Sequence, residues 1–242
     1  MNAGIASVEW NKTDDGWERS LQVNVLSLAL LGLELLPLLL LARSSSDLTL
    51  SAKSKSKTKP HLTILASDIH RTAKFPERHN AQDILSSLNT HSTWQTSQKL
   101  GGPTERYAVT KLFDIYTTQA LAEIVPRDTT KNNERNGDPA VIVNCVAPGF
   151  CKSNLLSREE GIPWVVKVVQ WVTGRTVEEG GKTVVDALVR GVESHGAWME
   201  DLVVRDPGEI VTGPDMARVR EQVWGEIVDV LRGVEPGLRT EY

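Results

Sequence analysis

Tyr107 and Lys111 stand four apart in ERYAVTKL, so any helix built there puts them on one face. A free tyrosine has a pKa of ~10 and is a poor acid–base group near neutrality, whereas a nearby ammonium favours the phenolate and lowers that value. Ser67 closes the apolar run HLTILAS and offers a hydroxyl to orient a substrate oxygen whose proton a tyrosine supplies or removes. That is proton chemistry at a carbonyl–alcohol centre, and it needs a hydride partner. The spacing Tyr-x-x-x-Lys is weak by itself, because a tyrosine packed on a lysine stem produces it on many surface helices.

The elements that must position these groups follow from periodicity. Residues 14–43 read as a long helix capped at Thr13 or Asp14. RSSSDLTLSAKSKSKTKP, rich in serine and lysine, reads as a solvated surface loop. HLTILAS is a short buried strand. Residues 68–102 are polar and irregular apart from a short helical piece at DILSSLN. A helix is expected over 104–125, a second buried strand in VIVNCVAPGF ending at Pro148-Gly149, helices over 162–173 and 176–190, a third strand in AWMEDLVV, and a last helix over 214–232. The three strands, near 62–67, 140–146 and 197–203, are expected to lie parallel in one α/β domain spanning 1–242, covered by helices on both faces. Ligands of such sheets bind beyond the carboxyl ends of the strands, where Ser67 and Pro148-Gly149 fall.

Composition narrows the function classes. The net charge of -4 and pI near 5.8 give no general attraction to phosphate backbones, so a nucleic-acid partner is not expected. Two cysteines, Cys145 and Cys151, are too few for a disulfide framework and suit a reducing compartment, here taken as cytoplasmic. No two of the five histidines have the helical spacing of metal ligands, so no metal site is expected. The apolar stretch LSLALLGLELLPLLLLA contains Glu34 and Pro37 and reads as a buried helix rather than a membrane span. A serine hydrolase built on Ser67 would need a G-x-S-x-G elbow and a placed His–acid pair, and His70 reads as a solvated loop residue.

Taken in order, Asn-Ala-Gly at 2–4, Asn24 in LQVNVLS, Ser67, Tyr107 with Lys111, and Pro148-Gly149 resemble the short-chain dehydrogenase/reductase family, with wording similar to fungal, retinol-dehydrogenase-like members. The resemblance implies a Rossmann-like doubly wound parallel sheet. It implies Tyr107 as general acid/base, Lys111 as the group that lowers its pKa and holds the nicotinamide ribose, Ser67 as the residue orienting the substrate oxygen, and Asn24 as support for a water-linked proton relay. Asn2, Ala3 and Gly4 would form the turn beside the cofactor, and Pro148, Gly149, Cys151 and Ser153 would pack on the nicotinamide side. NADP is the cofactor expected, with NAD as the alternative; the substrate would be a small apolar carbonyl or alcohol, in secondary metabolism.

Two departures accompany it. No Gly-rich phosphate loop follows a strand anywhere in the sequence, so the resemblance implies an N-terminally truncated chain lacking the first strands and that loop. The alternative to an oxidoreductase is then a non-catalytic remnant acting as a binding or oligomerisation module; self-association is left open in either case. The forty positions from Ser67 to Tyr107 are also long for the family and read as a substrate-side loop carrying Trp94.

Overall fold

A computed structural model describes residues 1–49, 59–80, 82–128, 137–151 and 174–242. Its centre is a four-stranded sheet in the order β1 (His61–Leu65), β4 (Ile142–Ala147), β5 (Trp198–Glu200), β6 (Val203–Arg205). The pairs β1–β4 and β4–β5 are parallel, with His61 opposite Ile142 and Cys145 opposite Trp198. A separate two-residue antiparallel pair joins β2 (Arg127–Asp128) to β3 (Asp138–Pro139).

The third strand expected from AWMEDLVV folds as a hairpin instead. β5 and β6 are antiparallel, because Asp201 and Leu202 both take positive φ, 52° and 64°, the pairing that a tight two-residue turn requires. The sheet is therefore parallel with one antiparallel edge.

Alternation along β4 shows how both faces are covered. Asn144 is fully buried and donates to the carbonyl of Ala187 (2.9 Å) in α7 (Val177–Val189). Its neighbour Cys145 faces the other way, and burial against α6 (Glu105–Ile124) pushes its thiol up to about 12. Thr63 of β1 donates to Asn144 Oδ1 at 2.7 Å, tying the two strands on the α7 side. Leu62, Ile64, Val143 and Cys145 join Leu112, Phe113, Tyr116 and Leu121 in the main core.

The first helix begins later than its sequence suggests. Gly16 has φ 80°, and Thr13 to Trp17 close a turn through Thr13 N–H to Trp17 O and Gly16 N–H to Thr13 O. Glu18, fully buried, then caps α1 (Arg19–Leu21) by accepting from Ser20 and Leu21 N–H. A π-helical turn (Gln22–Leu26) leads into α2 (Ser27–Thr49), which carries Pro37 in its interior. The stretch Arg19–Arg43 is long and apolar enough to span a membrane by length and composition, yet Leu21, Val25, Ala29, Leu33 and Leu36 are buried in the domain core. The start of the serine-rich loop is helical as far as Thr49, and residues 50–58 lie outside the described residues.

Between Ser67 and Tyr107 the short helix expected at DILSSLN is present, and the stretch around Trp94, expected as a loop, is helical too. A 3-10 turn (Asp68–Thr72) is followed by α3 (Glu77–Asn80), α4 (Ile84–Leu88) and α5 (His91–Gly101). Asp83 caps α4 by accepting from Ser86 N–H, and Thr90 caps α5 by accepting from Thr93 N–H. Trp94 thus lies on a helix and packs against Trp10 and His91. Of the two helices expected near 161–191, α7 is present with a full Thr176–Glu179 capping box, while 162–173 lies outside the described residues. α8 (Glu209–Thr212) and α9 (Met216–Val234) complete the chain.

Candidate active site

α6 holds the central pair. Its first turn is tied to the segment after β1, because the Glu105 carboxylate, buried to 1% exposure, accepts from Lys74 and Phe75 N–H at 2.8 and 3.0 Å. Arg106, equally buried, donates to the Leu88 carbonyl (3.0 Å) and lies 3.7 Å from Glu18. With Glu105 and Arg106 anchored, Tyr107 follows in the same turn and Lys111 one turn further on, on the same face.

The Lys111 ammonium donates to the Leu65 carbonyl at 3.0 Å and to Asp114 Oδ2 at 2.8 Å, and its Nζ lies 5.7 Å from the centre of the Tyr107 ring. Burial by itself would lower the ammonium, but the charges of Asp114 and Tyr107 and the hydrogen bond to Asp114 hold it above the ordinary lysine value. Tyr107 departs from the sequence expectation. Lys111 does act to lower it, but burial acts more strongly and the Asp114 and Asp68 charges add to burial, so its hydroxyl is held above the ordinary tyrosine value. Burial likewise pushes Asp114 up to about 6 against the pull of Lys111.

Asn24 sits in the π-helical turn, a feature that redirects a side chain locally. Its amide clasps one residue at both ends: Oδ1 accepts from Ile5 N–H (2.9 Å) and Nδ2 donates to Ile5 O (2.8 Å), with a further bond to Thr110 Oγ1 at 3.0 Å. Thr110 in turn donates to the Tyr107 carbonyl at 2.8 Å. The Asn2–Gly4 segment, expected as a turn, forms no turn; Asn24 brings it to α6, and a Cβ added at Gly4 would lie 3.4 Å from Asn24 Oδ1 and 3.8 Å from Lys111 Nζ. Met1 lies along β1, its amino group donating to Thr63 O and its carbonyl accepting from Leu65 N–H, so Asn2–Gly4 leave the sheet at the carboxyl end of β1.

Ser67 leaves at that same end. It is extended (φ -157°, ψ 146°), accepts from Ile69 N–H at 3.4 Å and donates to Asp68 Oδ1 at 3.3 Å. Pro148 and Gly149 follow the adjacent parallel strand, and Gly149 needs its φ of 78°. Cys151 donates to the Pro148 carbonyl at 3.4 Å and bridges to Arg175; partial burial raises its thiol. Ser153 lies outside the described residues. His70 is not solvated: it is fully buried, its ring nitrogens lie 2.7 Å from the carbonyls of Ser67 and Pro207, and it packs edge-on to Trp198. Sequence reasoning missed Asp114 and Thr110. The first was visible as an i,i+3 partner of Lys111 in TKLFD, the second only through its contact with Asn24.

The chain is 30% identical over its full length to the short chain dehydrogenase/reductase dmxR8 of a Cryptosporiopsis species, of which it covers 66%. It is 31% identical to the short-chain dehydrogenase/reductase phmF of Phaeosphaeria nodorum over 96% of this chain and 61% of that protein. It is 30% identical to the short-chain dehydrogenase anuD of Penicillium roqueforti over 98% of this chain and 57% of that protein. The chain belongs to the short-chain dehydrogenase/reductase family. It spans roughly three fifths of the length of these curated relatives. No family profile and no solved structure matches it.

Proposed function

We propose that this short-chain dehydrogenase/reductase chain carries the proton-transfer half of an NADP-dependent oxidoreductase that interconverts a carbonyl and an alcohol on a small apolar substrate of fungal secondary metabolism. The observation that carries the reading is the grouping of Tyr107, Lys111, Asn24 and the Asn2–Gly4 segment at the carboxyl end of β1, the edge at which parallel sheets bind their ligands.

In the direction of reduction, Ser67 donates a hydrogen bond to the substrate oxygen and Tyr107 gives that oxygen its proton as charge develops on it. Lys111 stabilises the phenolate left behind, and Asn24 keeps the Asn2–Ile5 segment beside the pair in place. The nicotinamide supplies, or in oxidation accepts, the hydride. The residues present suit its ribose end. Lys111 spends two donors on Leu65 O and Asp114, leaving one of the three an ammonium carries, and Ala3 and Gly4 are small where a ring would have to approach. Those residues, with Pro148 and Gly149, would hold that end.

The test is carbonyl reduction followed through NADPH absorbance, with Tyr107→Phe beside the parent protein. The substitution removes only the transferable proton, so turnover should vanish while nicotinamide binding falls little. Turnover that survives Tyr107→Phe would remove that residue from the role. A parent protein that neither binds nor oxidises NADPH would favour the non-catalytic module.

A further inference from the structure

Among the described residues, Asp114 is the one carboxylate that makes an ion pair with Lys111, and the proton transfer just described leaves it without a task. It is fully buried on α6, one helical turn beyond Lys111 and two beyond Tyr107. Oδ2 accepts from the Lys111 ammonium at 2.8 Å, while Oδ1 has no hydrogen-bond partner among the described residues. A carboxylate so poorly solvated depends on the ammonium for its stability, and an ammonium with a partner at contact distance has less field to spare for a phenol.

We infer that Asp114 is a positioning residue of the Tyr107–Lys111 pair: its carboxylate fixes the ammonium beneath the Tyr107 ring and offsets its charge, so that it sets how readily Tyr107 releases a proton. The inference rests on the proposed role of the pair, but the coupling itself is a property of the protein that can be read without turnover. The ionisable groups that face Asp114 are Lys111 from its own helix, the Met1 amino group at the edge of β1 and the Cys145 thiol from β4. Tyr107 is faced by Lys111 and Asp114 on α6 and by Asp68 from the turn after β1.

Seven residues of helix separate Asp114 from Tyr107, about 10 Å along the axis. Removing one charge at that distance, at the effective dielectric of a partly buried site, corresponds to about one pH unit. Asp114 titrates at about 6, so a carboxylate there is charged at neutrality and protonated in mild acid.

The experiment is an ultraviolet titration of tyrosinate formation. The chain has three tyrosines, Tyr107, Tyr116 and Tyr242, so the difference between each protein and its Tyr107→Phe counterpart isolates Tyr107. Asp114→Asn should move the Tyr107 midpoint down by about one pH unit, and Asp114→Glu, which keeps the charge, should restore most of it. An unchanged midpoint in a folded Asp114→Asn protein would overturn the inference. Should that variant not fold, the parent protein suffices. With ring-labelled tyrosine, the Tyr107 carbon resonance should step near pH 6 as Asp114 titrates, and the lack of such a step would overturn the inference equally. A shifted midpoint in a protein without oxidoreductase activity would leave the coupling standing and sink only the proposed function.

Discussion

Asn24→Ala is the substitution with the clearest reading. The side chain makes three hydrogen bonds, two to the backbone of Ile5 and one to Thr110, and it is only 1% exposed. Each such bond contributes about 1 kcal/mol net, and a partner left buried and unpaired costs about 1–3 kcal/mol more. Thr110 keeps its bond to Tyr107 O, and half-buried Ile5 regains water on truncation, so the unpaired penalty is moderate. The sum is about 3–4 kcal/mol, a large fraction of a typical domain's stability. Asn24→Asp should be at least as costly, because it keeps the acceptor toward Ile5 N–H but turns the donor into a second acceptor facing Ile5 O and buries a charge. Urea denaturation gives the stability, and amide hydrogen exchange at Ile5 reports the clasp itself. A loss below ~1 kcal/mol with Ile5 exchange unchanged would refute the argument that Asn24 holds the Asn2–Ile5 segment.

Other consequences can be checked alongside. A Cβ on Gly180 would lie 2.4 Å from Cys151 Sγ and 3.3 Å from Pro148 Cβ, so Gly180→Ala should destabilise by about 1–2 kcal/mol despite alanine's better helix propensity; in a Cys151→Ala background the same change should become neutral or stabilising, as a thermal-melt cycle would show. Leu202 pays for a left-handed backbone, φ 64°, and Leu202→Gly should raise stability by about 0.5–1 kcal/mol in urea titration. Burial holds the His195 imidazole below its ordinary value, its Nδ1 accepting from Val143 N–H and its Nε2 bound to Ala122 O. The unfolded chain therefore takes up the proton first as pH falls, and His195 costs stability progressively from the ordinary imidazole value down to the lowered one. His195→Gln should flatten that part of the pH–stability curve.

The parts of this fold that sequence made legible are those where one local signal dominates. HLTIL and IVNCVA are short, mainly apolar runs rich in β-branched residues, whose buried polar side chains Thr63 and Asn144 pair with each other, and α6 differs from its expected span by a residue at each end. What escaped notice depended on contacts between distant residues or on turn geometry. The hairpin at Asp201-Leu202 uses positive φ at two residues that rarely advertise it. The helices on either side of the expected DILSSLN piece are polar, and the cap of the second, Thr90, resembles an ordinary loop residue. In the candidate site, spacing put Tyr107 and Lys111 on one helical face, but the sign of the Tyr107 shift turns on how deeply α6 is buried, and no spacing encodes that.

The same long-range logic explains how the long segment between Ser67 and Tyr107 is anchored at both ends. Its first turn is pinned from the far side of the sheet. His70 spans the carbonyls of Ser67 and Pro207, both at 2.7 Å, and Arg71 donates to Glu200 (2.9 Å) and to Asp206 O (3.0 Å) while its guanidinium lies 5.7 Å from the centre of the Trp198 ring. The exposed Arg71–Glu200 pair adds little by itself, but buried His70 acts on the main chain of Ser67 directly. At the far end, Glu105 takes the N–H groups of Lys74 and Phe75 onto the first turn of α6. The chain is thus tied down immediately after Ser67 and again immediately before Tyr107. Length inserted between those two ties can vary without moving either hydroxyl, because the ties, and not the intervening helices, fix the ends.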